Sequence, residues 1–287
     1  MLIQRLSIIG VGLIGGSLAR ALKEAGQCAE IIGCGRNVAN LQTAVDLGVI
    51  DSYETEMQQA VKGADVVVVA TPLGAIAHSL QTIAPALKKT AIVTDVGSAK
   101  QSVADAMLQY LPEHLDYCVP AHPIAGGEKS GVTASRIDLF KQRRVIVTPL
   151  PQTSASSQQL IEKMWQFTGA EVLSMSLDYH DQVLAATSHL PHMLAYSLVD
   201  LLASLKTGED IFRFAAGGFK DFTRIAASDP TMWRDICVAN RPALVKLLKQ
   251  YQQQLAQLTD DIENQNVDEF EAMFQRAKTS RDKFTLP

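Results

Sequence analysis

The fold that this sequence predicts is decided by residues 6–15, which read LSIIGVGLIG. The apolar run up to Ile9 is typical of a buried strand, and the three glycines after it have the GxGxxG spacing. At such a junction the first glycine permits a tight turn, the second admits a pyrophosphate and the third packs helix against strand. The following helix adds N–H donors and positive potential at its N-terminus. The stretch predicts a dinucleotide-binding turn, with these candidate cofactor-binding residues: Gly10, Gly12, Leu13, Ile14 and Gly15.

Short β-branched runs alternate with helical patterns through the first half of the chain, which indicates parallel strands joined by crossover helices. We expect strands at 6–9, 30–33, 66–70, 91–95, 117–119 and 145–148, with 171–175 as a closing edge strand. Because these runs are apolar throughout, both faces of their sheet should be covered. The predicted fold class is an α/β Rossmann-type domain. Thr71 and Pro72, which follow the third run, are also candidate cofactor-binding residues.

The strand-like runs stop after Ser176, and long helical stretches take over at 192–205 and 242–264. We therefore expect a dinucleotide-binding domain at residues 1–175 and an all-α domain at residues 176–287. The second helical stretch carries one apolar stripe at spacings of three and four, formed by Leu244, Leu247, Leu248, Tyr251, Leu255, Leu258 and Ile262. Two interpretations of the stripe stay open. It is either intramolecular core or a subunit interface, since a small helical domain has little surface to bury by itself.

The composition excludes several classes of protein. The 287-residue chain is 47% hydrophobic, and its 26 basic and 30 acidic residues are mixed, which leaves a net charge of -4 and no footprint for nucleic acid or an anionic membrane. The cysteines are too scattered for a disulfide framework or a thiolate zinc site: Cys28, Cys34, Cys118 and Cys237. No export signal precedes the first run, and no apolar run reaches the roughly 20 residues of a membrane helix. A soluble, cytoplasmic protein is expected.

The second predicted strand ends where NAD-binding folds usually place an Asp or Glu against the ribose 2′-hydroxyl. Here the residues are Gly35, Arg36 and Asn37, so that carboxylate is missing. Without it nothing repels a 2′-phosphate, and Arg36 can pair with one, which predicts a preference for NADP over NAD. Alternatively, Arg36 lies on the adenine or faces solvent, and NAD then stays possible.

Four polar segments fall where open α/β folds bind ligands, at the carboxyl edge of the sheet or in a domain crevice. They lie at 94–100, 121–128, 188–192 and 218–224. His122, in the second segment, precedes Pro-x-x-Gly-Gly. A histidine there either caps a turn or supplies the near-neutral base that a dehydrogenase needs to take a hydroxyl proton as hydride leaves.

The third and fourth segments are ambiguous when taken alone. His189 and His192 are spaced like metal ligands, but the intervening Pro191 and the lack of a clear third ligand argue against zinc, and no metal site is expected. Substrate hydrogen bonding or helix capping suits the two histidines better. Arg224 follows Asp221 by one helical turn. The two form an exposed ion pair of little energetic value, or Arg224 is a guanidinium held to grip a carboxylate.

Taken together, the motifs of this chain resemble those of the prephenate and arogenate dehydrogenases, also called cyclohexadienyl dehydrogenases, over nearly the whole sequence. Six motifs recur in the same order in that family. They are GVGLIGGS at 10–17, TDVGSAK at 94–100, HPIAGGEKSG at 122–131, HD at 180–181, SHLPH at 188–192 and GFKDFTRIAASDPTMWR at 218–234. Chance agreement of all six is not credible.

The resemblance implies a Rossmann-type domain, a helical dimerisation domain and an active site in the cleft between them. The implied enzyme is a homodimer of tyrosine biosynthesis that oxidises and decarboxylates prephenate or L-arogenate with NAD or NADP. His122 would accept the hydrogen bond of the ring 4-hydroxyl, Ser98 would position that hydroxyl, and Arg224 would bind a substrate carboxylate. His189 and His192 would line the pocket. Further family positions near the site are matched by Glu128, Lys129, Asp221 and Trp233, of which Trp233 would reach across the dimer.

Two rival functions stay open on the residues. One is a two-domain dehydrogenase of hydroxy acids or sugar acids whose proton acceptor is Lys100 or Lys220. The other is a non-catalytic dinucleotide-sensing or interaction protein on the same fold. The chain also differs from some relatives in that we expect no mutase domain before Met1 and no regulatory domain after Pro287, so feedback control is not predicted.

Overall fold

A six-stranded parallel sheet organises the first half of the protein, in the order β3-β2-β1-β4-β5-β6. The computed structural model describes residues 1–127, 129–205 and 208–283. The strands are β1 (Ile3–Ile9), β2 (Cys28–Cys34), β3 (Ser52–Glu54), β4 (Val66–Val69), β5 (Ile92–Asp95) and β6 (Cys118–Val119). This strand order and the parallel pairing confirm the predicted Rossmann-type fold. The short β3 lacks the apolar run that marks the other strands of this sheet in the sequence.

Helices cover both faces of this sheet, as the continuous apolar runs predict. They are α1 (Leu13–Glu24), α2 (Val38–Asp46), α3 (Met57–Ala60), α4 (Leu73–Ile83) and α5 (Gln101–Tyr110). All four valines of β4 are fully buried, because this strand lies inside the sheet with packing on each side. Neighbouring residues of β1 point to opposite faces, so Ile8 packs in one core cluster and Ile9 in the other.

A second, three-stranded sheet follows, which the sequence did not predict. It contains β7 (Ala121–Pro123), β8 (Arg144–Val147) and β9 (Glu171–Ser174), and α6 (Ala155–Gln166) lies between the last two strands in the sequence. β7 is antiparallel to β8, whereas β8 and β9 are parallel. The chain changes sheets at Pro120, which has no N–H to donate and whose carbonyl accepts from Thr148. The expected edge strand at 171–175 thus forms the edge of this second sheet.

Every element after β9 in the described residues is helical, which confirms the predicted change of architecture. The helices are α7 (Leu177–Leu184), α8 (Leu190–Ser204), α9 (Gly208–Arg213), α10 (Gly217–Thr223) and α11 (Pro230–Ala239), with a π-helical turn at Ala185–His189 between α7 and α8. Ser176 caps α7, and Asp229 caps α11, because each side chain accepts a backbone N–H of its own first turn. The caps fix the starts of two helices that carry site residues.

Contacts divide the chain into two compact units, Met1–Arg241 and Pro242–Pro287. The second unit holds α12 (Arg241–Glu263, apart from its first residue) and α13 (Val267–Lys283). Within the apolar stripe of α12, Leu244 is buried, whereas Leu255 and Ile262 are 45% and 56% exposed. No helix in the described part of the chain is long and apolar enough to cross a membrane. The domain boundary expected at residue 175 and the cytoplasmic location stay predictions.

Candidate active site

The glycine turn after β1 is built by two glycines that cannot be replaced without strain. Gly10 has a φ of +104°, and a Cβ there would lie 2.5 Å from the carbonyl oxygen of Ala70 and 3.0 Å from the nitrogen of Thr71. A Cβ on Gly15 would collide with the carbonyl oxygen of Gly10 and lie 2.9 Å from Ile8. This close packing holds the end of β1 against the end of β4. The structure therefore brings Thr71 and Pro72 beside the glycine turn.

Gly12 differs from its two neighbours in the motif because it faces open space. A Cβ built on Gly12 would have no atom within 4 Å, and this residue is the N-cap of α1 with no side chain capping the helix. The first N–H groups of a helix have no intrahelical partner, and they favour negative charge. Gly12, Leu13 and Ile14 thus leave a bare helix start that fits the pyrophosphate of a dinucleotide.

The segment after β2 carries no carboxylate toward this edge of the sheet. Arg36 is exposed, and the side chain of Asn37 caps α2 by accepting the N–H of Asn40 at 3.0 Å. The Asn40 side chain in turn donates to the carbonyl of Val11 at 2.9 Å. The start of α2 therefore fixes the glycine turn, and Arg36 is the charged residue that follows β2.

A buried ion pair fixes the loop after β5. Lys100 is fully buried and donates to the Asp95 carboxylate at 2.5 Å and to the Ala121 carbonyl at 2.7 Å. Asp95 also accepts the N–H of Ala121 at 3.1 Å and the N–H of Gly97 at 2.7 Å. Burial lowers the pKa of Lys100, and Asp95 opposes that shift. Through these hydrogen bonds the Asp95–Lys100 pair fixes the loop that carries the half-buried Ser98 and also the start of β7.

His122 follows β6, as the sequence predicted, but it lies within β7, a strand that the sequence did not predict. Its side chain is only 8% exposed, and its Nδ1 lies 2.9 Å from Nε2 of His180. His180 Nδ1 lies 2.8 Å from Oδ1 of Asp181. The Asp181 carboxylate accepts the N–H of Lys100 at 2.8 Å and the N–H of Gln101 at 2.9 Å. A chain of three side chains therefore connects β7 to the first turn of α5.

Burial shifts the pKa values of the hydrogen-bonded side chains His122, His180 and Asp181. It lowers the pKa of His122 well below its ordinary value, and nearby His180, Lys100 and His189 add to the shift. Burial also lowers the pKa of His180, against an opposing hydrogen bond to Asp181. For Asp181 burial alone would raise the pKa, but the hydrogen bonds from His180 and the two main-chain N–H groups lower it. At neutral pH the two imidazoles are uncharged and Asp181 is a carboxylate.

His189, His192 and Trp233 form an aromatic group beside these residues. The His192 and Trp233 rings stack with centroids 3.7 Å apart, and His189 meets the edge of Trp233 at 6.0 Å. The π-helical turn that ends at His189 orients this buried imidazole, and such turns recur at functional sites. Asn240 donates to the Asp181 carbonyl at 2.8 Å and lies 3.1 Å from Nδ1 of His189. Burial lowers the pKa of His189 to about 4, so it too is neutral at pH 7.

The remaining candidate substrate-binding residues are exposed or lie outside the described residues. Arg224 is exposed at the start of the 3-10 turn Arg224–Ala227, and its positive charge helps burial to lower the pKa of His192. The charge of the guanidinium therefore disfavours protonation of His192 in the aromatic group. Asp221 is exposed on α10, and Glu128 lies outside the described residues.

Several residues that follow β7 in the sequence contact the start of α1. A Cβ on Gly127 would lie 3.5 Å from the side chain of Leu13, and a Cβ on Gly16 would lie 3.0 Å from Ser135. The N–H of Arg136 donates to the Ser17 hydroxyl at 3.0 Å. The start of α1 therefore contacts residues that follow the His122 strand in the sequence.

Sequence signals are weak for the residues that support His122. In the sequence, His180 and Asp181 stand out only as a dipeptide that matches the family. Nothing in the sequence assigns a role to Asp95 or Asn240. A buried acid five residues before a lysine is the signal that could have revealed the Asp95–Lys100 pair. Asn240, directly after an apolar helix, gave no comparable signal.

A Rossmann-type sheet, an open glycine turn and a buried imidazole on β7 define the class of this protein as a dinucleotide-dependent dehydrogenase. Residues 18–174 match the family model described as the nucleotide-binding domain of prephenate dehydrogenase, and residues 176–276 match its dimerization domain. The chain belongs to the prephenate dehydrogenase family.

Named relatives and solved structures agree with this assignment. The chain is 37% identical over 284 residues to the cyclohexadienyl dehydrogenase of Zymomonas mobilis, covering 97% of this chain and 95% of that protein. It is 35% identical to the prephenate dehydrogenase of Bacillus subtilis, covering 97% and 76%. The prephenate dehydrogenase of A. aeolicus, solved with hydroxyphenyl propionate and NAD+, superimposes with a TM-score of 0.90 at 36% identity, covering 98% of each chain. For the arogenate dehydrogenase of Synechocystis the TM-score is 0.83 at 29% identity, covering 98% and 99%.

Proposed function

We propose that this protein oxidises and decarboxylates prephenate, L-arogenate or both, which gives 4-hydroxyphenylpyruvate or L-tyrosine. The observation that carries the proposal is the buried, uncharged imidazole of His122 on a strand followed by Gly127, which lies beside Leu13 at the start of α1. An uncharged imidazole can take a proton, and a site beside the dinucleotide turn is where a hydride can leave. Membership of the prephenate dehydrogenase family supports this substrate class.

The reaction assigns one task to each group of residues. A nicotinamide dinucleotide, held by Gly10 to Gly15 with Thr71 and Pro72, supplies when bound the acceptor for the hydride that leaves C4 of the substrate ring. His122 takes the proton of the 4-hydroxyl in the same step, and Ser98 positions that hydroxyl. Loss of the ring carboxylate as carbon dioxide then restores aromaticity, which makes the reaction effectively irreversible.

Substrate binding falls to the helical half of the site. We assign the grip on a substrate carboxylate to Arg224, because a guanidinium can meet a carboxylate with two parallel hydrogen bonds. In the aromatic group, the half-buried His192 is the ring placed to meet the substrate, with Trp233 stacked on it and His189 against the edge of Trp233. Glu128 and Asp221 keep supporting roles near the substrate in this proposal.

The two rival functions fit the structure less well. Lys100 is committed to Asp95 and to the Ala121 carbonyl and is fully buried, so it has no route to a substrate hydroxyl. Lys220 is exposed on α10. A purely dinucleotide-sensing protein would need neither a buried neutral imidazole nor the chain of hydrogen bonds behind it.

The proposed function is tested by incubating the purified protein with prephenate or L-arogenate and with NAD or NADP, while nicotinamide reduction is followed by absorbance. We expect reduction with at least one of the four combinations and formation of the corresponding aromatic product. Reduction with a simple hydroxy acid but with neither cyclohexadienol would establish the rival dehydrogenase. Cofactor binding without turnover of any substrate would establish the sensor.

For the cofactor we propose a preference for NADP, because Arg36 follows β2 and residues 35–37 present no acid to repel a 2′-phosphate. The kcat/KM with NADP should exceed that with NAD. Arg36→Ala should lower the NADP value by about 10-fold, the loss of one charge-assisted hydrogen bond, and leave the NAD value nearly unchanged. The exposed Arg143, replaced by Ala, serves as the control. A clear NAD preference in the unaltered protein would refute this assignment.

We also propose two functional domains, at 1–175 and 176–287, and a homodimer formed through the second. The two family models meet between residues 174 and 176, and the second is described as a dimerization domain. The exposed Leu255 and Ile262 on the stripe of α12 support the subunit-interface interpretation over the intramolecular one. Trp233 is 6% exposed and stacks on His192 of the same chain, so in this arrangement it belongs to its own subunit's site and does not reach across the dimer as the resemblance implied.

A further inference from the structure

We propose that His180 and Asp181 are positioning residues that hold His122 in the tautomer whose Nε2 carries no proton. The inference rests on the proposed function, because it concerns the atom that receives the hydroxyl proton. It is carried by the hydrogen-bond chain from the α5 main chain through Asp181 and His180 to His122. The direction of each hydrogen bond can be derived in turn.

The direction is set at Asp181. Its carboxylate accepts the N–H of Lys100 on one oxygen and the N–H of Gln101 on the other, so the main chain at the start of α5 keeps it ionised and fixes its orientation. An ionised carboxylate can only accept hydrogen bonds. The Nδ1 of His180, at 2.8 Å from Asp181, must therefore carry a proton and donate.

The second step passes through His180, which is fully buried. A neutral imidazole has a proton on only one nitrogen, so with Nδ1 protonated the Nε2 of His180 has a free lone pair. The 2.9 Å contact to Nδ1 of His122 then requires that His122 donates. With the proton of His122 on Nδ1, its Nε2 is left as the acceptor.

The same chain prepares His122 for the positive charge that it acquires on taking a proton. The imidazolium formed there keeps its Nδ1 hydrogen bond to His180, which is polarised by the Asp181 carboxylate behind it. A carboxylate that orients an imidazole in this way selects its tautomer and stabilises its charged form without itself taking the proton. Here one imidazole is inserted between the carboxylate and the base.

The tautomer can be read directly from the unaltered protein by 15N NMR with labelled histidine, at neutral pH and without substrate. We expect one buried histidine, assigned to His122 by its absence in His122→Asn, with a protonated Nδ1 and an unprotonated Nε2. A protonated Nε2 on that residue would overturn the proposal. Because no turnover is needed, this result is independent of whether prephenate or arogenate is the substrate.

Kinetics with the substrate that the protein turns over tests the consequence. Asp181→Asn replaces an acceptor oxygen with an amide donor and removes the preference for the productive tautomer, so kcat should fall by about 10-fold with KM little changed. Asp178→Asn, on the exposed face of the same helix, is the matched control and should keep the unaltered kcat. An unaltered kcat in Asp181→Asn would contradict the proposal, as would a rise in KM with no fall in kcat.

A second pair of variants separates positioning from folding and from proton relay. In His180→Gln the amide can still donate to Asp181 and accept from His122, whereas His180→Leu fills the space and can do neither. We expect His180→Gln to keep most of the kcat and His180→Leu to lose about 10-fold, at matched melting temperatures. If His180→Gln loses as much as His180→Leu, the tautomer explanation is wrong.

Discussion

Replacement of His122 by Asn lowers kcat by about 100-fold or more and changes KM little. The imidazole acts on the hydroxyl proton in the step that breaks the C4–H bond, so its loss is felt in the transition state more than in binding. Because burial, with help from the charge of Lys100, keeps His122 uncharged at neutral pH, the imidazole of the unaltered protein can accept a proton. Initial rates over a range of substrate concentrations give both constants.

The exposed histidine on α4, replaced in His78→Asn, is the control and should behave as the unaltered protein does. Circular dichroism and melting temperature should be unchanged in both variants, because asparagine fits within the space of the imidazole. An unaltered kcat in His122→Asn would remove this residue from the role of base.

Replacement of Arg224 by Ala raises the substrate KM by about 100-fold, equivalent to ~2.7 kcal/mol, with a smaller effect on kcat. The reason is that a substrate carboxylate loses its bidentate partner as it leaves water for the site. The substrate KM of Arg224→Lys should lie between those of the unaltered protein and Arg224→Ala, because an ammonium keeps the charge but lacks the planar pair of donors. The measurement is KM at saturating cofactor.

Arg213→Ala is the matched control for this second prediction. Arg213 is an exposed helical arginine on α9 that pairs with Asp210, so its loss should leave the substrate KM within about twofold. A normal KM in Arg224→Ala would mean that another cation binds the carboxylate.

The glycine turn could be predicted from sequence because its requirements are local. The positive φ of Gly10 and the collision that a side chain at Gly15 would cause arise within a few residues and one neighbouring strand. The parallel sheet was equally accessible, since buried strands are apolar along their whole length. The short strand β3, with sequence Ser-Tyr-Glu, has no such signature.

The second sheet could not be predicted, because it depends on where the chain leaves the first one. Val119 pairs with β5, but two residues later Ala121 pairs with β8 and donates to Asp95. Nothing local to the sequence distinguishes these two partners. His122 therefore resembled a loop residue, although it is held in a strand with Ile146 opposite.

The support behind His122 was invisible for a related reason. His122 and His180 are 58 residues apart, and Asp181 meets the main chain of Lys100 across 81 residues. Sequence spacing carries information about neighbours on one helix or strand, not about contacts that only the tertiary fold creates. Lys100 is a second example. Its complete burial against Asp95, which the sequence does not reveal, indicates a structural lysine and not a proton acceptor.

A crystal structure would show whether an imidazole of the sheet domain and a guanidinium of the helical domain converge on one small ring. The crystal should contain the protein with NADP and 4-hydroxyphenylpyruvate. We expect His122 Nε2 at about 3 Å from the ring hydroxyl and the Arg224 guanidinium against the carboxylate of the same molecule. A ring bound away from His122, or a carboxylate held by a different cation, would contradict this expectation.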